Sequence, residues 1–159
     1  MSSDGSTVLF GALPAKYRFS ASDKRVLTRF ARKLSAQIAH GKYFECLLTD
    51  DREMRRLNSS FLKNDYPTDV LSFPTAGQPF AIGECAISVE RAAEQSKEFG
   101  HSLITEIEIL MLHGVLHLMG FDHEKDSGEM ARTEMRWRAE LKLPKSLIER
   151  SQPVASASV

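Results

Sequence analysis

Ile109-Leu110-Met111-Leu112-His113-Gly114-Val115-Leu116-His117-Leu118-Met119-Gly120-Phe121-Asp122-His123 is the stretch on which the reading of this chain turns. From Ile109 to Met119 the only polar side chains are two histidines four residues apart. A helix this apolar belongs in a protein interior, and residues four apart lie on one face of it, one turn from each other. Burying two imidazoles without partners costs about 1–3 kcal/mol each, a cost that a shared metal ion removes. Gly120 stands where the helix should stop. In a left-handed conformation it would turn the chain and bring His123 back toward His113 and His117. Three of the five histidines in the chain fall within the eleven residues His113 to His123. Three neutral imidazoles with an open fourth position make a catalytic rather than a structural zinc site, in which bound water is acidified to a pKa of about 7.

The residue after the first histidine narrows the chemistry. Metalloproteases of the H-E-x-x-H type place their general base there, and this chain has Gly114. Proteolysis by that mechanism is therefore not expected. A metal-bound hydroxide attacking a phosphodiester or an activated ester needs less help, so hydrolysis stays open with its substrate class undecided.

Working outward, the 159 residues with 42% hydrophobic content suit one domain over residues 1–150. The last nine residues, Ser151 to Val159, are poor in large side chains and read as a disordered tail. Net charge is zero, which neither supports nor excludes a polyanionic partner. Locally the balance differs: between Asp23 and Lys42 one acid faces six bases, Lys24, Arg25, Arg29, Arg32, Lys33 and Lys42. These form either a solvated helix face or a stripe for a polyanion. No apolar stretch approaches the roughly 20 residues of a membrane span, and the chain opens without a signal-like segment, so a cytoplasmic protein is expected. Cys46 and Cys85 lie in apolar runs without C-x-x-C spacing and read as buried free thiols. Lone histidines such as His40 and His101 read as satisfied core residues.

Strands are expected at Thr7–Phe10, Tyr43–Thr49, Val70–Phe73 and Gly83–Val89. A first helix capped by Ser20 or Ser22 should carry Val26, Phe30, Leu34 and Ile38 inward and end near Gly41. Asp50 should cap a short second helix with Met54, Leu57 and Phe61 on one side. Further helices are expected over Glu90–Phe99, Ser102–Met119 and Ser127–Leu141. This order predicts a mixed α/β (α+β) fold: a small, mostly parallel four-stranded sheet covered by helices, with the histidine helix buried at its centre.

Pro67-Thr68-Asp69-Val70-Leu71-Ser72-Phe73-Pro74, followed by His113-Gly114-Val115-Leu116-His117-Leu118-Met119-Gly120-Phe121-Asp122-His123, resembles the YbeY family, bacterial rRNA-maturation factors regarded as metal-dependent endoribonucleases. Leu57-Asn58, Gly83, Ile87-Ser88, Met130 and Glu134 extend the likeness over roughly residues 43–143. The resemblance implies one zinc ion per chain on His113, His117 and His123, whose bound water does the chemistry. It implies single-stranded RNA as substrate, a role in 16S rRNA 3′-end processing and ribosome quality control, and contacts with the small subunit and ribosomal proteins. Neither a membrane nor DNA is expected as a partner. Two positions depart from the family pattern. Leu62 stands where an arginine is usual, leaving neighbouring Lys63 to offer only a point charge, and Glu84 stands where an aspartate is usual. Asp122 either supports a ligand imidazole or fixes a turn, and Asp69 either caps a turn or faces the substrate. Met130, Met135 and Trp137 read as packing residues rather than a base-stacking platform. Beside the zinc endoribonuclease, two alternatives remain: a non-catalytic ribosome-assembly factor with a stabilising metal, and a metallohydrolase acting on a small ester or amide.

Overall fold

The computed structural model describes residues 6–11, 13–62, 68–122 and 126–144. Lys63, His123 and the expected tail from Ser151 onward lie outside the described residues. Four strands, β1 (Thr7–Phe10), β2 (Tyr43–Thr49), β3 (Val70–Pro74) and β4 (Ala81–Ser88), form one sheet in the order β1-β2-β4-β3. The β1/β2 and β2/β4 pairs are parallel, and β3 runs antiparallel to β4 at the edge. The helices are α1 (Ala21–Gln37), α2 (Asp51–Leu62), α3 (Val89–Phe99), α4 (Leu103–Leu118) and α5 (Glu129–Glu140).

Alternation along the strands sends side chains to two unequal faces. Phe44, Cys46, Leu48, Val70, Cys85 and Ile87 join the large core shared with α1 and α4. Leu71 and Ala86 join a smaller cluster under Met54 and Leu57 of α2. Cys46 and Cys85 are register partners on β2 and β4, both free and buried as expected. The hydrogen bond with Cys85, and then burial, push the Cys46 thiol up, so this thiol is chemically quiet.

Local signals explain the helix ends. Ser20 caps α1 in a reciprocal box with Asp23, the Ser20 Oγ accepting from Asp23 N at 3.0 Å. Asp50 Oδ1 accepts from Glu53 N at 2.8 Å and caps α2. Of the four residues expected to face inward from α1, three, Phe30, Leu34 and Ile38, are buried, and only Val26 is corrected. Leu27, Phe30, Ala31 and Leu34 are buried, whereas Val26 is 38% exposed. A period of 3.6 residues drifts off a strict repeat of four, and the buried stripe follows the helix. His40 also departs from expectation: it is exposed in the turn after α1 with φ +56°. His101 fits its expected role, its Nε2 lying 2.6 Å from Oε1 of fully buried Glu106. Among the described residues no single helix is long and apolar enough to cross a membrane.

Helix α4 is buried from Ile109 to Leu118 on every side, resting on β3 and β4 with α1, α3 and α5 around it. Glu108 lies half-buried on the same helix, just before this run. Burial pushes its carboxyl up to about 7, with Lys33 of α1 pulling the other way. A carboxyl whose folded pKa lies above its unfolded value costs stability as pH rises from the unfolded to the folded pKa, and the full cost is present above about 7. Glu108→Gln is therefore expected to stabilise the protein by about 1–2 kcal/mol at pH 8, after discounting for partial solvent access, and by much less at pH 4.5. Urea unfolding at both pH values checks this. Equal effects at the two would overturn the assignment.

Candidate metal centre and its surroundings

The two helical histidines sit where the sheet, α4 and α5 meet. His113 and His117 are both buried, the latter 2% exposed, and their rings lie edge to face with centroids 4.8 Å apart. Immediately beyond them, α4 ends as the glycine predicts. Phe121 N donates to Leu116 O at 3.1 Å and Gly120 N to His117 O at 3.0 Å, the paired bonds of a Schellman cap, with Gly120 at φ +100°. The chain thus reverses directly after the second histidine.

His113 is oriented from the far side by α5. Its Nδ1 lies 2.8 Å from Glu134 Oε1, while Glu134 Oε2 accepts from Arg138 Nη2 at 2.5 Å. Arg138 is 1% exposed and also donates to Pro144 O at 3.3 Å. An imidazole that gives its Nδ1 proton to a carboxylate presents its Nε2 lone pair on the other side. The donor set therefore fits a borderline metal ion: neutral nitrogen ligands on one helix face, shut off from solvent, one of them backed by a carboxylate. Among the described residues no group of three or more His, Cys, Asp or Glu side chains converges as a metal site, and the third expected ligand, His123, lies outside them.

The other expected site residues are distributed unevenly. Asp69 is buried just before β3, in the neighbourhood of His113. Its Oδ2 accepts from Gln95 Nε2 of α3 at 3.1 Å and its carbonyl from Ser88 N at 2.9 Å. Burial pushes the Asp69 carboxyl up, with His113 and backbone N–H groups pulling it back and Glu106 adding to the rise. The Asp122 carbonyl accepts from Asp126 N at 3.1 Å. Glu84, a candidate either for supporting a ligand or for meeting the substrate, lies away from the two histidines. Alternation on β4 puts Gly83 and Cys85 toward α4, and Glu84 is exposed on the α2 face across the sheet. Met130 is buried and Trp137 packs against the core, as expected, whereas Met135 is exposed.

Arg138 and Asp126 were not singled out by sequence reasoning, and Glu134 entered only as part of the family likeness, without a role. Asp126 starts α5, its carboxylate accepting from Gly128 N at 2.9 Å and Met130 N at 2.8 Å, which moves the helix start from the expected Ser127 to Glu129. The spacing Glu134/Arg138 was visible, but it is also that of an ordinary surface ion pair.

A mixed four-stranded sheet with a buried helix presenting paired imidazoles is the frame of a candidate α/β metalloenzyme. Comparison with known proteins makes the class specific. The family described as endoribonuclease YbeY matches residues 15–142. An endoribonuclease YbeY of Solibacter usitatus is 54% identical over 151 residues, covering 95% of this chain and 98% of that protein. One from Helicobacter pylori strain J99 is 43% identical over 121 residues, covering 76% and 86%. The solution structure of a Thermotoga maritima protein superposes with a TM-score of 0.57 at 22% identity, covering 92% of this chain and 99% of that one, a likeness of fold. The chain belongs to the YbeY endoribonuclease family.

Proposed function

We propose that this chain is a zinc-dependent endoribonuclease of single-stranded RNA, acting in 16S rRNA 3′-end maturation and ribosome quality control, in the cytoplasm and as one domain over residues 1–150. The observation that carries this reading is the buried His113/His117 pair, at 4.8 Å between ring centroids, in a member of an endoribonuclease family. His113, His117 and His123 would hold the ion. When bound, it supplies an acidified water and charge stabilisation at the scissile phosphodiester. Glu134 holds the His113 ring, and Asp69 keeps a carboxylate near it in a water-poor setting. Arg25, Arg29, Arg32 and Lys33 are exposed on α1 and offer a polyanion sequence-independent attraction. Asp122 and Lys63 are further candidates for steadying a ligand or the substrate, and rRNA within the small subunit is the partner this surface suits.

Incubating protein of known zinc content with single-stranded RNA and with intact ribosomes tests this reading. Zinc-dependent cleavage supports it. Equal cleavage by wild type and His117→Ala, or binding without any cleavage, overturns it, the latter in favour of an assembly factor.

Leu62, the last residue of α2, bears on the rate. A charged hydrogen bond to a transition-state phosphate contributes about 1.5–3 kcal/mol, or roughly ten- to a hundredfold. Leu62→Arg is therefore expected to raise single-turnover cleavage of isolated RNA by that factor, and to steepen the salt dependence of binding by about one phosphate contact. If neither changes, position 62 does not serve the phosphate.

A further inference from the structure

The geometry points to Glu134, clamped by Arg138, as the residue that positions His113 for the metal by fixing its tautomer. The inference rests on the reading of His113 as a ligand. An i,i+4 pair such as Glu134/Arg138 normally lies on a helix surface and contributes little to stability. Here the Arg138 side chain is 2% exposed and that of Glu134 13%. Removing an arginine from water costs several kcal/mol unless its partners are well placed, so an ordinary helix pair has no reason to be built this deep. Glu134 divides its two oxygens. Oε2 accepts from Arg138 Nη2 at 2.5 Å, and Oε1 faces His113 Nδ1 at 2.8 Å. Arg138 is itself anchored to Pro144 O, and Met130, one turn before Glu134, is 1% exposed and pins α5 to the core.

The consequence is directional. A neutral imidazole has one protonated and one lone-pair nitrogen, and a carboxylate at Nδ1 keeps the proton there. Nε2 is then the nitrogen left for an ion, on the side of the ring away from α5. Helix α5 thereby acts on the metal without touching it, and Arg138 acts one step further back, keeping Glu134 aimed.

Zinc affinity measured by chelator competition on the folded, full-length chain tests this in wild type, Glu134→Gln, Glu134→Ala and His113→Ala. Glu134→Ala is expected to bind zinc about ten- to a hundredfold more weakly. Glu134→Gln, whose amide oxygen still accepts from Nδ1, should fall between it and wild type. Long-range proton–nitrogen NMR of the zinc-loaded wild type should find the His113 proton on Nδ1. Unchanged affinity in Glu134→Ala, or a His113 proton on Nε2, overturns the inference, and the NMR readout decides even if the alanine variant fails to fold. His113→Ala separates the two levels. If it binds zinc like wild type, the ligand assignment itself is wrong; if it loses zinc while Glu134→Ala does not, only the role of Glu134 falls.

Discussion

Replacing His117 by alanine is expected to take the protein from about one zinc per chain to almost none and to cut RNA cleavage by about a thousandfold or more. His117 is 2% exposed and shares its helix face with His113, with ring centroids 4.8 Å apart. Two ligands of a three-ligand site cannot hold an ion against solvent as three can, and losing the ion removes both the acidified water and the charge stabilisation it supplies. Each effect alone is typically worth two to three orders of magnitude in rate. His113→Ala and His123→Ala should release metal in the same way. Elemental analysis of the three variants decides the matter, and unchanged zinc in all of them would sink the ligand assignment. Folding and metal are linked as well. An ion bound at a thousand times its Kd stabilises the native state by about 4 kcal/mol, so chelation should lower the Tm, and an unchanged melt after verified zinc removal would argue against a buried site.

What could be read from residues alone followed the strength of local signals. The histidine helix, its glycine stop and the strand Tyr43–Thr49 were legible because apolar runs bounded by capping residues leave little choice of element. Val26 was misplaced because a repeat of four and a period of 3.6 agree for only a turn or two. For Glu84 the family position left its role open, because it says nothing of which sheet face a residue takes. That depends on strand alternation, and one step along β4 separates Glu84 from Cys85. The role of Glu134 was missed for a different reason. It meets His113 across 21 residues of chain, through helix packing that no local pattern encodes. Once the fold brings α5 onto α4, the same i,i+4 spacing that reads as a surface ion pair becomes a buried clamp on an imidazole.

Gly114 is the position where structure changes the meaning of a sequence observation most, and Gly114→Glu is expected to destabilise the protein by about 4–6 kcal/mol without creating peptidase activity. From sequence, Gly114 is a missing general base. In the fold it is a contact surface: a Cβ there would lie 3.3 Å from Cys85 Cβ, 3.3 Å from Ser72 Oγ and 3.4 Å from Val70 Cγ2. Its carbonyl also accepts from buried Ser72 Oγ at 3.0 Å. Glycine lets α4 lie this close to β3 and β4. A glutamate would need room that the strands do not leave, at about 1–3 kcal/mol for overpacking, and would add the larger cost of a buried, unpaired carboxylate. Against a total stability of about 5–15 kcal/mol for a domain, that sum is enough to leave the variant largely unfolded or insoluble. Gly114→Ala should be far milder, about 1–2 kcal/mol, because the three contacts are tight rather than overlapping and alanine regains some helix propensity. Urea unfolding of both variants, with an assay on an unstructured peptide, tests the argument. A Gly114→Glu protein within 1 kcal/mol of wild type, or one that cleaves the peptide in a zinc-dependent way, would mean that position 114 faces the metal rather than the sheet, and the packing of α4 described above would be wrong.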